Sequence, residues 1–372
     1  MIRVNEPVLA DRELEYVSEA IKSGWISSAG PYIDRFERAW ADTCGRKHGI
    51  AVSNGTVALQ LAVAVLDLPK GSEIIMPSFT IMSCALAVLY NDCTPVLVDC
   101  DPETYCMDVG QVTSKVGPAT RAIMPVHIYG HPVQMDPLLA LAEERGLRVI
   151  EDAAEAHGAS YESDKGWRTC GSFGDVSTFS FYANKLITTG EGGMLVTDDN
   201  SIADRARLLR NLAFGPQRFV HEELGFNFRL TNVQAAIGVA QIERFDQIMR
   251  RKREIGERYT KGLAGVEGLI LPVERPWARS VYWMYGVVLA EEKEMDGEGL
   301  AKELAERGIE TRPFFVGMHE QPVLKERGLF AGERYPVTER ISRRGIYLPS
   351  GLALTDEQID EVCRAVSGVM NR

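Results

Sequence analysis

The sequence predicts an α/β protein built on a mainly parallel sheet, and three observations carry that expectation. Short apolar runs alternate with longer amphipathic stretches along most of the chain. The runs are continuous in apolar character, as in strands covered on both faces. The segments with unusual polar residues stand at the carboxyl ends of those runs, where open sheets of this kind collect their ligands. A chain of 372 residues exceeds the usual size of one core. A large domain over 1–249 and a smaller α+β domain over 250–372 are therefore expected.

Taken in order, an amphipathic helix over Asp11–Lys22 ends in Gly24-Trp25-Ile26-Ser27-Ser28-Ala29-Gly30-Pro31, a turn-rich loop. Helix Tyr32–Cys44 leads to a buried strand, His48–Val52. Ser53-Asn54-Gly55-Thr56 then opens the helix Val57–Leu66. Strand, glycine turn and helix N-terminus together aim free amides at a phosphate, although an ordinary N-cap satisfies the same pattern. Strand Glu73–Met76 ends in Pro77-Ser78-Phe79-Thr80 before helix Ile81–Tyr90, and strands follow at Thr94–Val98, Arg121–Val126 and Arg148–Ile150. The last runs into Glu151-Asp152-Ala153-Ala154-Glu155. An acid just beyond a buried strand needs a positive partner. A helix-capping Asp is the alternative.

The most informative stretch is Phe179–Met194, FSFYANKLITTGEGGM. Ser177–Phe181 alternates small polar and aromatic residues as a strand does, Thr188–Gly193 is a glycine turn, and Met194–Thr197 resumes a strand. Between them stands Lys185. Partial desolvation lowers a lysine's pKa, so that its free amine condenses with a carbonyl. Further on, the basic helix Ser201–Asn211 reads as a solvated face, and helix Val233–Phe245 has Asn232 as its candidate N-cap. The charged helix Arg250–Lys261 joins the two domains. Strand Tyr282–Ala290 and helices Gly299–Arg307 and Thr355–Val369 complete the C-terminal part.

Apolar residues make up 45% and charged residues 25%, as in ordinary globular proteins. With 41 Lys and Arg against 52 Asp and Glu, the net charge of −11 disfavours nucleic acid and anionic membranes. No apolar stretch reaches the ~20 residues of a membrane helix, and charges fill the N-terminus where a signal peptide is apolar. A cytoplasmic protein is expected. Seven cysteines and six histidines show no metal-ligand rhythm, so no metal site is expected. No GxGxxG opens a strand–helix unit, which argues against a dinucleotide-binding dehydrogenase.

NKLITTGEGGM and the spaced motifs around it resemble the pyridoxal 5'-phosphate (PLP) sugar aminotransferases, the DegT/DnrJ/StrS family of fold-type I enzymes, over nearly the whole chain. The resemblance implies a large domain with a mainly parallel seven-stranded sheet and a smaller C-terminal α+β domain. It also implies PLP carried by Lys185, with pyridoxamine 5'-phosphate between two half-reactions. Glutamate is the implied donor and a nucleotide-linked 4-keto-6-deoxy sugar the acceptor, in a homodimer whose subunits share their active sites. Residue by residue, Gly55, Thr56, Ser180 and the neighbouring subunit's Asn227 match phosphate contacts. Asp152 matches the partner of the ring nitrogen, and Glu155 lies near the phenolic oxygen. Relatives place an aromatic residue where this chain has Ile81, so either Phe79 stacks on the ring or an aliphatic side chain covers it. Ser27, Arg312, His319 and Tyr347 match the substrate side, with an ion pair equally open for Arg312. His157 reads as structural. Lysine rather than histidine at 185 disfavours the PLP-dependent sugar dehydratases, and Asp152, Ser180 and Lys185 together disfavour a non-catalytic binding module. The nucleotide (GDP, UDP or dTDP) stays open.

Overall fold

The structure, a computed structural model, describes residues 1–217 and 219–371. Its main sheet begins with β1 (His48–Val52), β2 (Glu73–Pro77), β3 (Thr94–Val98), β4 (Thr120–Ile123) and β5 (Arg148–Asp152). A separate hairpin, β6 (Ser160–Ser163) and β7 (Gly166–Thr169), interrupts it before β8 (Val176–Ser180) and β9 (Gly193–Thr197) return. The seven strands lie in the order β1-β9-β8-β5-β4-β2-β3. All neighbours are parallel except β9, which runs against both β1 and β8. This is the expected sheet. Its interior strands are buried on both faces, which is why they read as unbroken apolar runs.

β10 (Leu269–Ile270), β12 (Tyr285–Leu289), β13 (Arg312–Pro313) and β14 (Gly345–Leu348) form a smaller antiparallel sheet, while β11 (Ala278–Arg279) joins the β6–β7 hairpin. A second core of Tyr259, Tyr285, Ile359, Val366 and their neighbours packs around the smaller sheet. Ile2 belongs to that core, so the first residues of the chain pack with the C-terminal body although the sequence places them in 1–249. Helix Phe245–Leu263 runs through residues 249 and 250 without a break.

Other differences have local causes. Strand β12 starts at Tyr285 rather than Tyr282 because Tyr282 has φ +47°, a left-handed conformation that no strand accommodates. Thr231, not Asn232, caps helix Asn232–Ile242: its Oγ accepts from Gln234 N–H, whose side chain reaches back to Thr231 N–H. Asn232 instead accepts from Tyr32 N–H at 2.9 Å and donates to Trp25 O at 2.7 Å, tying down the loop that carries Ser27. All seven cysteines are free and buried. None of the described helices is long and apolar enough to cross a membrane.

Candidate active site

The carboxyl ends of β5 and β8 and the start of helix Gly55–Val65 surround a cavity of about 640 Å³. Asp152 closes β5, only 2% exposed. One of its oxygens accepts Ala154 N–H at 3.0 Å and the other accepts the Cys84 thiol at 3.3 Å. Burial raises its pKa. A buried carboxylate with two donors, one of them a weak thiol, has acceptor capacity to spare for a cationic partner.

Lys185 lies in the loop between β8 and β9. Backbone bonds from Phe181 N–H to Gly192 O (2.8 Å) and from Thr189 N–H to Phe181 O (2.9 Å) close that loop at its base. Its Nζ stands 3.8 Å from Glu155 Oε1 and 3.6 Å from the centroid of the Trp283 ring. Burial lowers the lysine's pKa against the pull of Glu155 and Asp152, and burial raises that of Glu155 against the pull of Lys185. Both shifts favour the uncharged forms, so an amine able to act as nucleophile or base becomes accessible. Glu155 Oε2 is fixed by Tyr129 N–H at 2.8 Å.

At the opposite end, Asn54 caps helix Gly55–Val65 by accepting from Val57 N–H at 3.0 Å. The N–H groups of Gly55 and Thr56 have no intrahelical acceptor by their position and add the helix's positive end. Thr56 Oγ and Ser83 Oγ are 2.8 Å apart. Ser180 leans against Gly55 so closely that a Cβ there would lie 2.6 Å from the serine Cβ, so only glycine leaves the cradle open. Anion-binding amides, a carboxylate and a buried amine around one cavity are the groups that the phosphate, ring nitrogen and aldehyde of PLP call for.

The cavity thus brings together Gly55, Thr56, Asp152, Glu155, Ser180 and Lys185, with Ile81, Trp283 and Tyr347 among its walls. The expectation for Phe79 is corrected. Its side chain is fully buried against Tyr129, Phe314 and Phe315, while Ile81, 45% exposed and still extended just before its helix, faces the cavity. Arg312 is also off the wall: it pairs with Glu310 at 2.6 Å, two residues back and just before its strand. His319 is buried beneath Ser78, with its Nδ1 2.9 Å from Ser78 Oγ and its Nε2 3.4 Å from Glu339, and it borders a different cavity. Within one protomer Ser27 and Asn227 do not line the Lys185 cavity either. Ser27 O accepts Asn232 N–H at 2.6 Å, and Asn227 pairs with Asn211 along the backbone.

Trp283, Cys84 and Ser83 escaped the sequence reading. Cys84 meets Asp152 across 68 residues of sequence, which no local spacing signals. Nothing local marks Trp283.

A family model for the DegT/DnrJ/EryC1/StrS aminotransferases matches residues 7–367. The chain belongs to this family. Among its relatives, GDP-perosamine synthase of Caulobacter vibrioides is 42% identical over 371 residues, covering 99% of this chain and 98% of that protein. The GDP-perosamine synthase of Vibrio cholerae is 40% identical over 372 residues, covering 100% of both. Among solved structures, DesI in the presence of its TDP-sugar product superposes with a TM-score of 0.90 at 32% identity, over 99% of this chain and 93% of that one. This aminotransferase is PLP-dependent, and the donors and acceptors lining the cavity around Lys185 fit that cofactor.

Proposed function

We propose that this aminotransferase moves an amino group from glutamate to GDP-4-keto-6-deoxymannose, giving GDP-perosamine for a surface polysaccharide such as O-antigen. The observation that carries this reading is identity of 40–42% along essentially the whole chain to three GDP-perosamine synthases. When bound, PLP supplies an aldehyde that captures amines and a ring that withdraws electrons from the substrate carbon.

The chain's own residues do the rest. Lys185 would hold the cofactor through its Nζ and, as a free amine, would carry the proton at the substrate carbon. Glu155, 3.8 Å away and biased by burial toward its protonated form, exchanges a proton with that amine. Asp152 holds the ring nitrogen in its protonated state. The Gly55 and Thr56 N–H groups and the Thr56 and Ser180 hydroxyls bind the phosphate. In a homodimer Asn227 reaches the other copy's phosphate, so each active site is shared, and Ser27 is a contact to the sugar. We place the division between the cofactor-binding and C-terminal bodies near residue 250. Seven free, buried cysteines suit the reducing cytoplasm.

A UDP- or dTDP-linked keto sugar is the second reading, favoured by the likeness to DesI with its TDP-sugar product. Purified enzyme, glutamate and a panel of GDP-, UDP- and dTDP-linked 4-keto-6-deoxy sugars, followed by mass spectrometry, separate the two. Amino sugar from the GDP-linked substrate is expected. Amino sugar only from a UDP- or dTDP-linked one overturns the first reading.

A further inference from the structure

The loop that bears Lys185 is held from outside by the first residues of the chain, which the chemistry above leaves unused. Ile2 N–H donates to Gly308 O at 2.7 Å, and Glu310 N–H donates to Ile2 O at 2.9 Å. Val4 O then accepts from Ser350 N–H at 3.0 Å and Gly351 N–H at 3.2 Å. Gly351 has to be glycine there, since a Cβ would lie 2.9 Å from Asn5 Cα. This strap ends at Asn5, whose Nδ2 donates to Asn184 O at 3.1 Å.

A second donor, Trp283 Nε1, meets the same oxygen at 2.8 Å from the C-terminal body. On the other side of that peptide, Lys185 N–H donates to Tyr182 O at 2.8 Å. A peptide unit is rigid, so pinning its oxygen and its hydrogen together fixes the plane from which the lysine side chain departs. Trp283 also lies beneath Nζ at 3.6 Å, so one residue references both the backbone and the amine of Lys185.

We propose that Asn5 is a positioning residue: through the Asn184 carbonyl, the N-terminal strap ties the C-terminal body to Lys185 and sets the direction from which the amine reaches the cofactor. This rests on Lys185 being the catalytic lysine. Asn5→Asp keeps the side chain's shape but sets an acceptor against the carbonyl, whereas Asn5→Ala removes the donor.

Three readouts test the proposal: amide hydrogen exchange of the 182–189 segment in the cofactor-free protein, the thermal midpoint, and kcat and KM for glutamate in the holoenzyme. Faster exchange confined to that segment is expected in both variants, with a wild-type midpoint. An unchanged KM and a kcat lowered about tenfold are expected with it, less than the roughly 100-fold that a 1 Å misplacement can cost. Asn5→Asp should be the worse of the two. Unchanged exchange or unchanged kcat in Asn5→Asp overturns the proposal, as does a general loss of protection across the main sheet. Should Asn5→Asp not fold, Trp283→Phe removes the other donor to the same oxygen, keeps an aromatic ring, and is read in the same way. If Lys185→Ala kept its turnover, the reading of the lysine would fail while the exchange result stood, so the two failures are distinguishable.

Discussion

Glu151 and Asp152 are consecutive, both buried at the end of β5, and the fold treats them in opposite ways. Glu151 Oε1 accepts from His127 Nε2 at 2.9 Å and from Gly171 N–H. Its Oε2 accepts from Phe173 N–H at 2.9 Å, Gly174 N–H at 3.1 Å and the Ser177 hydroxyl at 2.7 Å. Val133 N–H donates to His127 Nδ1, so the ring's proton sits on the nitrogen facing the glutamate. Burial alone would raise the Glu151 pKa, yet His127 and these donors bring it down to about 2. Asp152, on the other face of the strand, has a single amide and a thiol, and burial wins. A carboxylate whose acceptor sites the chain fills itself belongs to the scaffold. One left short faces a cavity and waits for a ligand.

The largest expected effect falls on that cavity. Lys185→Ala should lower turnover by about 10⁴-fold or more, since it removes both the covalent anchor and the proton carrier. Steady-state transamination of glutamate measures it, and activity within tenfold of wild type would sink the assignment of the lysine.

Substituting the two neighbours should then separate scaffold from site. Asp152→Asn is expected to cost roughly 10²–10³-fold in turnover, the range for losing one preorganised electrostatic contact, while the cofactor-free protein unfolds at the wild-type denaturant midpoint or above it. Glu151→Gln should do the reverse. An amide sets a donor against groups that all donate to this side chain, and leaving such buried hydrogen bonds unmade costs about 1–3 kcal/mol of stability, while the folded fraction turns over within a few-fold of wild type. If both variants lost activity and stability alike, the contrast between the two carboxylates would carry no functional meaning.

Lys252 puts the contrast under strain from a third place. It is buried in helix Phe245–Leu263, donates to Ser350 O, and burial lowers its pKa to about 7. It is thus short of partners, and none of the chemistry proposed above uses it. Because its folded pKa lies below the unfolded value of 10.5, the native state binds fewer protons between pH 7 and 10.5, and stability from this group rises with pH across that window. Below about pH 7 the penalty is complete. Lys252→Met should therefore stabilise the protein at pH 7 by on the order of 2–4 kcal/mol: a fall from 10.5 to about 7 at about 1.4 kcal/mol per pKa unit is about 5 kcal/mol, less about 1–3 kcal/mol for leaving Ser350 O without its donor, and the variant should flatten the rise at alkaline pH. Urea unfolding at pH 7 and pH 10 checks both. A destabilised variant would show that this buried charge serves the fold after all.

The sheet and half of the site were legible because each rests on local pattern. Continuous apolar runs mark strands covered on both faces, and Asp152, Gly55 and Lys185 each stand just past such a run, where the sheet collects them. What escaped depends on distance or on a single residue of phase. Trp283 meets Lys185 only through the tertiary fold, packed in the core it shares with the main sheet. Asn232 looked like a cap, but Thr231 one position earlier has the capping oxygen and Gln234 in register to complete the box.

Phe79 and Ile81 differ by the same kind of phase, and they set the smallest effect. Helix Met82–Leu89 starts one residue after Ile81, which stays extended and turns its side chain to the cavity, whereas Phe79 packs into the aromatic cluster. At this position the cavity wall is therefore aliphatic. Its contribution is apolar contact from a side chain already half exposed, so Ile81→Ala should weaken PLP binding by only about 1 kcal/mol, roughly fivefold, at about 25 cal/mol per Å² of apolar surface covered. Thermal stability without cofactor should not move. An absorbance titration of the cofactor-free protein with PLP measures the change, and Ile81→Phe, which restores an aromatic face, should shift it the other way. A loss for Ile81→Ala as large as that expected for Asp152→Asn would mean that the cavity depends on its wall as much as on its unfilled carboxylate.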